Sequence, residues 1–223
     1  MLISCEHAGN MVPADYCDLF TGAKEILQSH RGWDPGAYPW AMFVAGHWNL
    51  KVHAMTVTRL LIEMNRSLDS PSLFSEFSRS LPDAEREKLI RRYYHPYRTG
   101  LVQEIKALKK PVLHLSFHSF TPVWNGTERT VDIGLLFDPE RELEATFCVH
   151  LAGRLYDHLP EFRIRFNEPY AGTDDGIATA MRQKFPGIEY LGIELEINQR
   201  FVNTPQSNHL QEALAKSLKE VML

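Results

Sequence analysis

Thiols are scarce in this sequence. Its three cysteines, Cys5, Cys17 and Cys148, are odd in number and none belongs to a CxxC pair, which argues against a disulfide framework or a thiolate metal site. Such usage fits a reducing, cytoplasmic setting. Long apolar runs are missing as well. No stretch reaches the 18 residues of a membrane span, and no membrane partner is expected. The opening "MLISCEHAGN" has neither the basic start nor the apolar core of a secretory leader, and it reads as entering the first strand almost directly.

Surplus positive charge is also absent. Lys and Arg number 24 against 28 Asp and Glu, a net charge of -4, whereas a general nucleic-acid binder needs a concentrated basic face. The one basic cluster, "REKLIRRYYHPYR", is interleaved with acidic and apolar residues and reads as a solvated helix face. The G-x-S-x-G elbow, GxGxxG, the P-loop and H-E-x-x-H do not occur, which leaves the common one-motif enzyme classes without a foothold.

What is present is an ordinary globular composition: 223 residues, 44% hydrophobic and 23% charged. That is enough chain to bury a substantial core. No repeat, low-complexity stretch or linker interrupts it, and residues 1–223 are expected to form a single domain. Periodicity predicts strands at 2–5, 52–58, 111–118, 131–139, 162–166 and 190–198. Helical stretches are expected at 15–29, from 35 into the mid-40s, from Pro82 onward, at 99–109, 140–158, 176–184 and 205–222, with a break or kink at Pro96. Strands alternating with helices imply an α/β fold, a mixed and largely parallel sheet with helices on both faces. In such sheets the site lies outside the carboxyl ends of the strands.

The strand ends carry unusual residues. "HLSFHSF" alternates, with Leu115 and Phe117 on one face and His114, Ser116 and His118 on the other. His118, last on the strand, is the better ligand candidate, and His114 reads as a packed histidine. "GIELEINQ" places Glu194 and Glu196 together on one strand face, and buried carboxylates are costly unless paired or metal-bound. "SCEHAGN" follows the first strand with Glu6 and His7. In "HRGWDPGA", Asp34 before Pro35 has the spacing of an N-cap with proline at the first helical position. "RLLIEMNRS" supplies Arg59, Glu63, Asn65 and Arg66, and arginine after a buried strand suits a two-pronged grip on a carboxylate. This scatter of His, Asp, Glu and Arg suits a nitrogen- and oxygen-ligated zinc hydrolase. A cysteine hydrolase built on Cys5, with His7 or His118 as base, is the competing chemistry.

"SCEHAGNMVP", "HRGWDPGA", "RLLIEMNRS", "HLSFHSFTPV", "VDIGLLFDP", "NEPYAGTDDG" and "LGIELEINQ" stand in an order that resembles the N-formylglutamate amidohydrolase family, over residues 4 to about 202. The resemblance implies a fold similar to zinc carboxypeptidases, a zinc or other divalent ion at the strand ends, and a small N-acyl amino acid as substrate. The implied reaction is N-formyl-L-glutamate and water giving glutamate and formate, late in histidine breakdown. It further implies His7 and His118 as metal ligands, with Asp34 favoured over Glu6 as the third. Asn10 stands where carboxypeptidase-like sites carry a glutamate three positions after the first histidine. Asn65 and Arg66 are similar to the pair that holds the substrate α-carboxylate, and Arg129 or Arg59 is the candidate for the second carboxylate. Glu196 matches the general base, and Asn167 fits the start of a pocket-wall loop. Runner-up readings are a zinc deacylase acting on another N-acyl amino acid or peptide, and a non-catalytic binding protein that keeps the fold.

Overall fold

In the computed structural model, which describes residues 1–222, the alternating pattern resolves into one six-stranded sheet and a small hairpin. The strands are β1 (Leu2–Cys5), β2 (Val52–Ala54), β3 (Val112–Phe120), the hairpin pair β4 (Val123–Trp124) and β5 (Thr127–Glu128), then β6 (Ile133–Leu136), β7 (Ile164–Phe166) and β8 (Tyr190–Asn198). Their order in the sheet is β2-β1-β3-β8-β6-β7. The first four in that order run parallel, while β6 and β7 run the opposite way. The sheet is therefore mixed and largely parallel, as the sequence implies.

Helices α1 (Lys24–Gln28), α2 (Ala37–Gly46), α3 (Asp83–Leu89), α4 (His95–Ala107), α5 (Glu142–His158), α6 (Ile177–Lys184) and α7 (Pro205–Met222) complete the chain. No described helix is long and apolar enough to cross a membrane. One sheet face buries Ile3, Leu115, Phe117, Ile193, Leu195 and Ile197 beneath α2, α5 and α7. The opposite face is divided along the strands. At the amino ends, Leu2, Val112 and Tyr190 pack with Leu101 and Ile105 of α4 and with Ile177 and Met181 of α6. At the carboxyl ends the same face becomes polar. Ser4 stands beside Ser116, Ser116 beside Glu194, and His118 beside Glu196.

Several elements differ from expectation. The stretch 15–29 is a 3-10 turn at Ala14–Phe20 followed by the short α1. The strand expected at 52–58 pairs only over Val52–Ala54, with an isolated bridge at Val57. Pro96 does not stop its helix. A π-turn at Ile90–Tyr94 joins α3 to α4, shifting the backbone ladder just where proline has no N–H to give. Asp34 is not the cap of α2, which starts at Ala37 behind Gly36 with φ of 87°.

His114 is fully buried, with Nε2 2.7 Å from Ser4 Oγ and Nδ1 2.6 Å from Tyr190 Oη. Burial pushes its pKa down to about 4. An imidazole that is neutral when folded and protonated when unfolded favours the folded state above its unfolded pKa near 6.5, and that contribution is lost as pH falls towards about 4. A His114→Gln variant is expected to lose stability less steeply than the parent across that interval, as read from denaturant midpoints at successive pH values.

Candidate active site

The polar ends of β1, β3 and β8 open into a cavity of about 350 Å³. Three further segments wall it. One is the loop before α2 with His30 and Asp34, another the segment carrying Arg59, Glu63, Asn65 and Arg66, and the third the loop after β7 with Tyr170 and Asp174.

Asp34 is the hub. Its Oδ2 lies 3.2 Å from His7 Nδ1 and 3.0 Å from His118 Nδ1, and its Oδ1 takes the Arg59 guanidinium. Burial opposes charge on Asp34, but Arg59 and the histidines outweigh it and hold the carboxyl well below the usual range.

The far nitrogens of both imidazoles are held from behind. His7 Nε2 donates to Glu63 Oε1 at 2.5 Å. His118 Nε2 is 3.0 Å from Ser116 Oγ and 3.2 Å from Glu6 Oε2. The Ser116 hydroxyl gives its only proton to Glu6 at 2.5 Å, so its oxygen is free to accept from His118. The Asn65 NH₂, 3.5 Å away, is too distant to compete with them for that nitrogen. These partners place a proton on Nε2 of both rings and turn a lone pair on each Nδ1 toward Asp34 Oδ2. Three acceptors then converge with no hydrogen of their own between them, an arrangement that calls for a proton or a cation. His7, Asp34 and His118 offer ligand atoms that all lie within 4.8 Å of one another. Two imidazoles and one carboxylate are a donor set that could hold a transition-metal ion. The pull on positive charge also shows in His118. Burial disfavours its charged form, but Asp34 and Glu6 prevail and raise its pKa well above the ordinary range.

Glu6 takes no place at this vertex. It is fully buried behind His118 and accepts from Ser116 and from Tyr97 Oη at 2.7 Å. Burial alone would raise its pKa, yet the hydrogen bond and charge of His118 hold it well below the usual carboxylate range. Glu63 follows the same logic: against its burial, His7 and Arg59 lower it to about 2. Asn10 lies off the site, its amide donating to Leu27 O at 2.8 Å.

Glu196 lines the cavity next to His118. Its Oε2 is buried and has no partner among the described residues, the mark of a group whose partner comes from outside the fold. Burial, reinforced by the negative charges of Asp34 and Glu194, pushes it up to about 8 against the pull of His118 and Arg59. Glu194 lines the same cavity, and burial raises it too.

Of the candidate substrate residues, Asn65 is fixed by Ile177 N–H donating to its Oδ1 at 2.6 Å. Arg66 donates through Nη1 to the carbonyls of Asn65 and Asp175. Arg129 stacks on Trp124 and Tyr170, at 5.1 and 5.2 Å from the ring centroids. Among the described residues neither Arg66 nor Arg129 has a carboxylate in ion-pair reach, whereas Arg59 is committed to Asp34. Asn167 anchors its loop, its Oδ1 accepting from the N–H groups of Phe137 and Gly172 at 3.0 Å. The same loop passes close over β6. A Cβ on Gly134, the partner of Glu196, would sit 2.1 Å from Glu168 O. Arg182 ties the loop down from below, reaching Gly172 O at 2.5 Å while paired with buried Glu144.

Cys5 points to the opposite side of β1, packed with Ala8 and Ala37. Burial, with Glu6 and Asp34 nearby, pushes its thiol up, so a thiolate nucleophile has neither position nor activation here. His30, Ser119 and Trp124 line the cavity without having been assigned a role from sequence. His30 was within view, four residues before Asp34 in "HRGWD".

A family model described as N-formylglutamate amidohydrolase matches residues 1–202. No functionally curated protein matches the sequence significantly. Among solved structures, the Atu2144 gene product of Agrobacterium tumefaciens is similar over 100% of this chain and 91% of its own, with TM-score 0.78 and 26% identity. A metallo-carboxypeptidase from Burkholderia cenocepacia aligns with 99% of this chain and 56% of its own at TM-score 0.46 and 12% identity.

If the vertex is a cation site, divalent transition-metal salts should raise the melting temperature of the wild-type protein, because only the folded state assembles the three ligands. The Asp34→Asn variant should show little or none of that rise. Equal shifts for both proteins would move the metal elsewhere.

Proposed function

The chain belongs to the N-formylglutamate amidohydrolase family, and on that premise we propose that it is a zinc-dependent amidohydrolase that removes the acyl group of an N-acyl acidic amino acid. The specific reaction proposed is N-formyl-L-glutamate and water giving L-glutamate and formate. One observation carries the reading: the acceptor vertex of His7, Asp34 and His118 faces the same cavity as the buried, partly unpartnered Glu196.

Zinc suits that donor set, and when bound it supplies a Lewis acid that polarises an acyl oxygen and makes a water acidic near pH ~7. The protein's own groups divide the rest. Glu6 and Glu63 fix the tautomers of His118 and His7, and Arg59 holds Asp34 in place. Glu196 takes a proton from the attacking water as the new O–C bond forms at the formyl carbon. It returns that proton to the amide nitrogen as the C–N bond breaks, which leaves an amine and formate. A carboxyl whose proton affinity is raised by burial and by its acidic neighbours suits both receiving and returning a proton near neutral pH. Arg66, on the cavity wall beside Asn65, and Arg129, stacked on the cavity-lining Trp124 and Tyr170, have no carboxylate partner among the described residues and serve the two carboxylates of the substrate. A bulkier acyl group is the second reading, favoured by the half-exposed Trp124 on the cavity wall.

The deciding experiment is formate release from N-formyl-L-glutamate by the purified protein, before and after metal stripping and zinc restoration. Activity should disappear with the chelator and return with zinc. A zinc-loaded protein that releases no formate but cleaves other N-acyl amino acids would shift the assignment to the second reading. Glu196→Gln should keep zinc at full stoichiometry while kcat falls by roughly 10²–10⁴. A variant that retains its rate would remove Glu196 as the proton carrier.

A further inference from the structure

One cavity-lining side chain has no part in the chemistry above, although its surroundings fix its orientation. His30 sits on the opposite oxygen of the same hub carboxylate, its Nδ1 3.1 Å from Asp34 Oδ1. Gln199, just beyond β8, places its Nε2 2.9 Å from that nitrogen, 3.0 Å from Ser119 Oγ and 3.3 Å from Ser119 O. The Ser119 hydroxyl gives its own proton to Pro35 O at 2.7 Å. Two oxygens of Ser119 without a proton to give identify the Gln199 group there as its NH₂, and an NH₂ at 2.9 Å makes His30 Nδ1 an acceptor. The ring proton then lies on Nε2. Asp34 Oδ1 is taken by the Arg59 guanidinium.

That Nε2 has no partner among the described residues, and the ring is partly open on the cavity side, its side chain 17% exposed. It is not part of the cluster of ligand atoms formed by His7, Asp34 and His118. Arg59, which holds Asp34, also lines the cavity, and its Nε has no partner among the described residues.

We propose that His30 is a further catalytic residue of this site, its Nε2–H donating a hydrogen bond to the acyl oxygen as negative charge develops there. The inference rests on the amidohydrolase reading above. No bond to His30 forms or breaks. Its role is to offer a donor held by Gln199 before the substrate arrives, which makes it most effective in the transition state.

The test compares wild type with His30→Ala and His30→Gln, using whichever N-acyl amino acid the wild type cleaves fastest. Glutamine keeps an N–H close to the position of Nε2. His30→Ala should lower kcat roughly 10²–10³-fold with KM changed less than about threefold, and His30→Gln should recover at least about tenfold of that loss. Zinc stoichiometry should be the same in all three proteins. A phosphoramidate of glutamate, whose tetrahedral P–O⁻ resembles the addition intermediate, should lose affinity for His30→Ala in step with kcat/KM, while glutamate itself binds unchanged. A kcat within threefold of wild type overturns the proposal, as do equal losses for phosphoramidate and glutamate, or loss of zinc from the variant. A zinc-loaded wild type that cleaves no N-acyl amino acid overturns the amidohydrolase reading, and this inference with it.

Discussion

Everything around the cavity answers to one electrostatic constraint. Two imidazole lone pairs and a carboxylate oxygen are brought within about hydrogen-bond distance of one another in a buried place. Left alone, that concentration of electron density would push itself apart. The fold restrains it from every side: Glu63 behind His7, Glu6 and Ser116 behind His118, Arg59 against Asp34. Each restraint is itself buried and hydrogen-bonded, which keeps a charged cluster tolerable in a poorly solvated setting. The cost of assembling it is what makes a cation so well matched to the vertex, since one positive ion relieves all three repulsions at once.

The sheet delivers this cluster through its period of two. One face of β1, β3 and β8 is uniformly apolar and anchors the layer of α2, α5 and α7. The other face changes character along its length, from Leu2, Val112 and Tyr190 under α4 and α6 to His118 and Glu196 at the cavity. The buried apolar half gives the polar half a rigid backing. The reversal of direction between β8 and β6 matters as well. It sets the glycine of β6 next to Glu196, and the missing side chain there lets the loop after β7 cross close to the site.

How much of this could be read from the residues depended on whether the signal was local. The alternation in "HLSFHSF" and "GIELEIN" assigns His118 and Glu196 to one face of their strands, because strand geometry depends on little beyond neighbouring residues. The layered α/β plan followed from the same periodicity. Asp34 was harder. Its spacing before Pro35 has the form of a helix cap, and only the tertiary approach of His7 and His118 from distant strands turns its side chain the other way. Arg59 carries a plausible grip for an external carboxylate, yet the carboxylate it holds belongs to the protein. The partnership of His30 with Gln199 spans 169 positions, and no local pattern encodes it. The π-turn before Pro96 was invisible for a different reason: it is a backbone adjustment that no side-chain pattern marks.

The place of β8 in the sheet has a consequence for how the chain is made. Its neighbours are β3 and β6, so it lies in the interior of the sheet, yet it is the last strand to leave the ribosome. Until residues 190–198 emerge, β3 lacks one of its two partners and His118 has no strand beside it bearing Glu196. Pairings between residues so far apart in sequence form slowly, and a nascent chain in that interval is open to aggregation. The cavity therefore gains Glu196 only once β8 has emerged, and truncation before β8 removes the centre of the sheet rather than its margin.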